Sequence, residues 1–269
     1  MFTNKIVLIT GGSGGLGKNL AINYAKQNAK IINLSRDYSK MEKLNLELNK
    51  INSLNNKFYS VDVSDYRAIE NIKNTLKNNH EIPDIIINNA AGNFLSKFEN
   101  LSANGFNRVV DIVLKGNFNI THCFGKELIK TNNKSVILNI LTTYTSTGCA
   151  YAIPSAAAKS GVESMMKSLS VEWGKNNVRF VGIAPGGMEN TGGIEKLDRM
   201  GFYNYYNKIN NPSSRLAKLD EISDLALFLT SEKANYINGE TITIDGGEKI
   251  KNSGQFNFLQ NIPFFERLI

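Results

Sequence analysis

The 269-residue chain is poor in the residues that staple or bridge small folds, with two cysteines, two histidines, one tryptophan and five prolines. Cys123 and Cys149 share no metal-like spacing, so neither a disulfide framework nor a cysteine metal site is supported. Both thiols read as small packing residues. His80 and His122 stand alone, without partners at ligand or triad spacing, which removes zinc chemistry and histidine-based hydrolysis. No apolar run approaches the roughly 20 residues needed to cross a bilayer, so membrane insertion is not expected. The opening "MFTNKIVLIT" has no basic region, apolar core and small-residue cleavage site of a secretory signal, and a cytoplasmic location is the expectation.

Blocks of like charge are also missing. The net charge is +7, yet the lysines are scattered among many asparagines, the pattern of a solvated surface. A nucleic-acid partner is therefore not expected. The composition, 42% hydrophobic and 20% charged, is that of a globular protein, and the length fits one domain spanning residues 1–269.

What is abundant is β-branched sequence in short runs, at 5–10, 30–35, 57–61, 84–88, 135–141, 178–183 and 240–245. Their apolar content is nearly continuous and helix-length segments separate most of them, so the strands should be parallel, buried on both faces and joined by helical crossovers. The expected fold is α/β: a Rossmann-type, doubly wound, seven-stranded, mainly parallel sheet with helices on both faces. Long helices are expected near 104–130 and 155–175. In the second, Val162, Met165, Met166, Leu169 and Trp173 fall at helical spacing as a core stripe.

Between the first strand and first helix lies "LITGGSGGLGKNLA", with Gly11, Gly15 and Gly17 where a dinucleotide pyrophosphate approaches backbone N–H groups and the helix dipole. Gly11, Ser13, Gly15, Leu16 and Gly17 are the expected cradle. The second strand ends in "NLSRD", offering Ser35 and Arg36 where many NAD sites offer an acid. A guanidinium gains charge-assisted hydrogen bonds from a 2′-phosphate, so the expected cofactor is NADP(H), with the adjacent Asp37 as the counter-indication.

Further along come Asp62-Val63, "NNAAG" at 88–92, "PSAAAKSGVESMMKSLSVEWG" from Pro154, "PGG" at 185–187 and "INGETITIDGG" from Ile237. In this order and spacing they resemble the short-chain dehydrogenase/reductase superfamily over nearly the whole chain. The resemblance implies that Asp62 and Val63 flank adenine, that Asn88, Asn89, Ala90 and Gly92 border the cofactor, and that Pro185 and Gly186 shape the nicotinamide pocket.

Three positions depart from that superfamily. Ser155 stands at the usual tyrosine, Thr142 at about the usual serine, and Val113 at the usual assisting asparagine. The second proline of the PGP turn is Gly187, and the threonine four residues after its glycine is displaced to Thr191, with Asn190 in its place. Either the chain is an inactive member kept for binding or assembly, or it belongs to a subfamily with different chemistry. The segments "NNAAGNF", "DIVLKG", "TTYTSTG", "PSAAAK" and "INGETITIDGGE" are similar to the 2,4-dienoyl-CoA reductases, which share these departures.

That similarity implies a site of Tyr144, Asn93, Ser155 and Lys159, with an acyl-CoA substrate, NADPH as reductant and a homotetramer. It also implies a mobile substrate-covering loop at 188–214, including the aromatic insertion "GFYNYYNKI". Tyr151 is expected to be a packing aromatic. An ordinary 3-oxoacyl thioester reductase and a non-catalytic NADP-binding subunit remain as alternatives.

Overall fold

The computed structural model describes residues 1–189, 191, 202–251, 253 and 257. The β-branched runs form strands β1 (Ile6–Thr10), β2 (Lys30–Ser35), β3 (Lys57–Ser60), β4 (Ile85–Asn88), β5 (Ser135–Ile140), β6 (Val178–Pro185) and β7 (Glu240–Ile244). They make one sheet in the order β3-β2-β1-β4-β5-β6-β7, parallel at every pairing. The chain winds outward from β1 in one direction and from β4 in the other. The order therefore reverses between β1 and β4, and this is where a crevice opens at the carboxyl ends of strands in folds of this kind.

Helices α1 (Gly15–Lys26), α2 (Tyr38–Ile51), α3 (Tyr66–Asn78), α4 (Ala103–Val110), α5 (Gly116–Thr131), α6 (Ile153–Trp173), α7 (Phe202–Asn210) and α8 (Leu219–Thr230) cover the two faces. One face packs Val7, Ile9, Leu138, Val181 and Ile183 beneath α1 and α8, while the other packs Leu8, Ile32, Ile86, Ile137 and Phe180 beneath α3, α5 and α6. Residues next to each other on β1 thus serve opposite cores. This double burial explains the unbroken apolar runs, since each fully buried Leu or Ile contributes about 1.5–3 kcal/mol.

The expectation of two-sided burial fails at the sheet edges. β3 has no fully buried residue and two positions of β7 are exposed, because each has a neighbour on one side only. The long span near 104–130 is not one regular helix either. A π-helical turn, Asp111–Lys115, separates α4 from α5. The insertion read as loop contains a helix, α7, whose Phe202, Tyr206 and Ile209 follow helical spacing and are 66%, 56% and 56% exposed. Residues 190 and 192–201, within the expected substrate-covering loop, and residues 252, 254–256 and 258–269 lie outside the described residues. Among the described residues no helix is long and apolar enough to cross a membrane, and no metal-binding group of side chains occurs.

Candidate active site

The glycine turn is built by close backbone contact. Gly11 and Gly15 adopt φ of +69° and +50°, which side-chain-bearing residues rarely accept. A Cβ on Gly17 would lie 2.3 Å from the Gly11 carbonyl oxygen, so the first turn of α1 can press on the loop only without one. Over Gly14 a Cβ would meet nothing within 4 Å. The loop is tight underneath and open above, which fits a pyrophosphate lying on it.

Thr10 and Asn89 clamp this turn to the end of β4. The Thr10 hydroxyl accepts from the Asn89 and Ala90 N–H groups, each at 3.0 Å, and Asn89 Nδ2 donates to the Thr10 carbonyl at 2.9 Å. The Asn89 side chain is therefore occupied in bracing the cradle, and Ala90 presents its backbone there. Asn88 Nδ2 donates to Thr121 Oγ1 at 3.3 Å and Asn139 Oδ1 at 3.2 Å. Leu16 is buried under the turn and Val63 under α5.

At the adenosine end, Ser35 Oγ donates to Ser13 Oγ at 2.8 Å, and Arg36 Nη1 lies 3.6 Å from Asp62 Oδ2. Ser13, Ser35, Arg36 and Asp62 are thus brought to one rim. Burial opposes ionisation of Asp62, but the Ser64 N–H and hydroxyl and the Arg36 guanidinium outweigh it and keep the carboxyl below its ordinary range. Asp37 has a different duty. It is the N-cap of α2, its Oδ1 accepting from the Lys40 N–H at 3.1 Å, which holds its pKa down. One oxygen of its carboxylate is thereby used by the helix.

The hydroxyl and lysine side chains converge on the first turns of α6. Tyr144 Oη and Ser155 Oγ are 3.1 Å apart, and Lys159 follows Ser155 by four residues on the same helix face. Ser155 and Lys159 are buried, while Tyr144 is half-buried. Lys159 Nζ donates to the Ile140 carbonyl at the end of β5. Burial disfavours its ammonium and pulls its pKa down to about 8. Asn93 lies exposed on the loop after β4, where its Oδ1 accepts from the Phe94 N–H at 2.9 Å. Among the described residues its amide N–H groups have no partner.

Lys159, Thr10, Asn88, Ala90, Val113 and Asn117 line a small cavity next to the π-helical turn. Val113 contributes only apolar surface there. Asn117 Nδ2 donates to Asn139 Oδ1 at 2.8 Å, and Asn88 Oδ1 is buried without a partner among the described residues. Thr10, Asn117 and Asn139 were not among the expected site residues. Their signal was present as polar side chains inside otherwise apolar strand and helix stretches, "VLIT", "GNFNI" and "ILNI".

Pro185 ends β6, and Gly186 is pressed against Asp245, its N–H donating to the Ile244 carbonyl at 3.0 Å. Asn190 lies outside the described residues. Tyr151 does not pack as expected. It is 56% exposed with φ of +64°, a conformation costing a bulky residue about 1–3 kcal/mol. His122 Nδ1 meets Tyr66 Oη at 3.0 Å and its ring stacks on Phe118.

The model of a family described as enoyl-(acyl carrier protein) reductase matches residues 11–249. A probable 2,4-dienoyl-CoA reductase of Bacillus subtilis, the (2E)-enoyl-CoA-producing kind, is 39% identical, with 91% of this chain and 96% of that one aligned. A probable (3E)-enoyl-CoA-producing 2,4-dienoyl-CoA reductase of Caenorhabditis elegans is 34% identical over 94% of this chain and 83% of its own. Among solved structures, a short chain dehydrogenase from Bacillus anthracis superposes with a TM-score of 0.86 at 38% identity, covering 92% of this chain and 97% of that one.

Proposed function

We propose that this chain, which belongs to the short-chain dehydrogenase/reductase family, reduces 2,4-dienoyl thioesters of coenzyme A to enoyl-CoA with NADPH. The observation that carries the reading is the Tyr144–Ser155 hydroxyl pair at 3.1 Å, with a serine at the position where an alcohol-oxidising member has its tyrosine. A serine hydroxyl is a far weaker acid than a phenol of pKa about 10, so Ser155 is ill suited to exchange a proton with a carbinol oxygen. It is well suited to orient Tyr144.

When bound, a reduced nicotinamide would supply the hydride taken up at the far end of the diene. Electron density then moves along the conjugated system to the thioester oxygen, producing a dienolate. Tyr144 Oη–H and Asn93 Nδ2–H are the donors for that oxygen, and donors fixed in place before the charge develops lower the barrier most in reactions of this type. Protonation at carbon completes the enoyl product. Lys159, held in a water-poor setting, would keep a positive field beside the reacting atoms and meet the ribose hydroxyls.

For the cofactor, the open Gly14–Gly15 surface and the α1 N-terminus would hold the pyrophosphate. Ser13, Ser35 and Arg36 would meet the 2′-phosphate, with Asp62 and Val63 beside the adenine. Asp37 spends one carboxylate oxygen on the N-cap of α2. The Pro185–Gly186 turn would border the nicotinamide. We also read the protein as a cytoplasmic homotetramer, in which Phe118 on α5 and Val171 on α6, 45% and 84% exposed, provide apolar contact surface.

The assay follows NADPH absorbance with a 2,4-dienoyl-CoA and, separately, with acetoacetyl-CoA. Oxidation with the dienoyl ester alone supports the proposal. Oxidation with acetoacetyl-CoA alone assigns a carbonyl reductase, and tight NADPH binding with neither reaction assigns a non-catalytic subunit.

A further inference from the structure

We infer that the backbone hydrogen bond from the Ser96 N–H to the Tyr151 carbonyl, 2.9 Å long, is a strap that fixes the loop bearing Asn93 against the loop bearing Tyr144, making Ser96 and Tyr151 positioning residues for the reduction. The inference rests on the dienolate reading above. Two donors that serve one oxygen must hold a common geometry, and a misplacement of 1 Å can cost about 100-fold in rate. Asn93 and Tyr144 come from different crossovers, after β4 and after β5. Something has to join them.

Among the described residues, the Ser96–Tyr151 bond is the one hydrogen bond between residues 91–97 and residues 141–152. On one side of it, Asn93 is three residues away and is itself fixed by the Phe94 N–H. On the other side, the Gly148 N–H donates to the Tyr144 carbonyl at 3.0 Å and closes the turn that leads to Tyr151. Ser155, the hydroxyl partner of Tyr144, follows Tyr151 by four residues.

The conformation of Tyr151 points the same way. Its φ of +64° is one that a bulky residue keeps only where its surroundings require it. Packing of its ring does not supply that requirement, since the residue is 56% exposed. The left-handed backbone turns the carbonyl toward the Ser96 N–H, and the bond made there is the feature that the unfavourable φ secures.

The test compares Ser96→Pro, which deletes the donor, and Tyr151→Pro, whose fixed φ near −65° turns the acceptor away, with Ser96→Ala, which keeps the N–H. With a dienoyl-CoA and NADPH, both proline variants should lose at least about tenfold in kcat while the Kd for NADPH stays within about twofold. Ser96→Ala should keep wild-type kcat. Proline variants that match wild type, or a Ser96→Ala loss as deep as that of Ser96→Pro, would overturn the strap. Should the proline variants not fold, amide exchange at Ser96 in the wild-type protein decides: protection is expected, and exchange at the rate of an open chain overturns it. A wild type that turns over no dienoyl ester defeats the parent reading instead, and the exchange measurement still decides the strap.

Discussion

Tyr144 Oη lies 3.1 Å from Ser155 Oγ, so two hydroxyls from separate elements, the turn after β5 and the first turn of α6, form one unit. Lys159 sits one turn further along the same helix with its ammonium on the Ile140 carbonyl. The proposed chemistry assigns distinct consequences to each member.

Tyr144→Phe removes the phenol O–H while retaining the ring. Loss of one preorganised oxyanion donor typically costs about 10²–10³ in kcat, and a loss of that order is expected in steady-state assays with a dienoyl-CoA. Asn93→Ala should fall into the same range. Ser155→Ala should cost less, because Ser155 orients the donor and the phenol remains. The three kcat values, measured at saturating NADPH, check this ranking.

Lys159 gives a pH dependence whose sign follows from its burial. Its pKa is about 8 in the folded chain against 10.5 for the free side chain. The ammonium is lost as pH rises through about 8, so kcat/KM should decline on that limb, and Lys159→Met should abolish the dependence along with most of the activity. Stability moves the other way. Between about pH 8 and 10.5 the unfolded chain binds this proton and the folded chain does not, so unfolding becomes harder as pH rises. At about 1.4 kcal/mol per pKa unit the full span is worth roughly 3 kcal/mol. Chemical denaturation at pH 7 should therefore find Lys159→Met more stable than wild type, with the gap narrowing by pH 10.

The proposed NADPH preference assigns cofactor choice to the Ser13, Ser35 and Arg36 rim. Arg36→Ala should weaken NADPH binding by at least about tenfold and leave NADH binding nearly unchanged, because only the 2′-phosphate engages the guanidinium fork. Fluorescence titration with both cofactors reads the difference. Asp37→Asn, which retains a capping side chain, should change neither affinity by much.

The Thr10 clamp predicts a structural phenotype. Thr10→Val keeps the shape but leaves the Asn89 and Ala90 N–H groups without their shared acceptor. A buried donor left unmade costs about 1–3 kcal/mol, so thermal unfolding should shift down and NADPH affinity should fall with it. Thr10→Ser should restore both.

The sheet was legible because every central strand is buried twice: runs such as "KIVLIT" and "PDIIINN" have no polar alternation to mislead, and observed strand ends fall within one or two residues of those expected. The edges were misjudged because β3 and β7 share that β-branched composition without sharing its burial. The π-helical turn at Asp111–Lys115 escaped notice since nothing in "DIVLK" breaks a helix, and α7 was hidden by an aromatic, asparagine-rich composition that resembles a loop.

Candidate site residues were legible where a motif names them, as with the glycine turn and the Ser155–Lys159 pair. What could not be read were the partners. That one Asp37 oxygen caps α2 through the Lys40 N–H, and that the Asn89 amide braces Thr10, could not be seen in the sequence. Such assignments depend on which polar group is nearest in space, and sequence spacing does not encode that across separate crossovers.

The dienolate mechanism stands or falls on the rate of NADPH oxidation with a 2,4-dienoyl-CoA, measured for wild type and Tyr144→Phe under saturating cofactor. Rapid oxidation by wild type is expected, with a loss of about 10²–10³ in the variant and no comparable reaction with acetoacetyl-CoA. Equal rates for the two proteins, or turnover of acetoacetyl-CoA alone, would refute it.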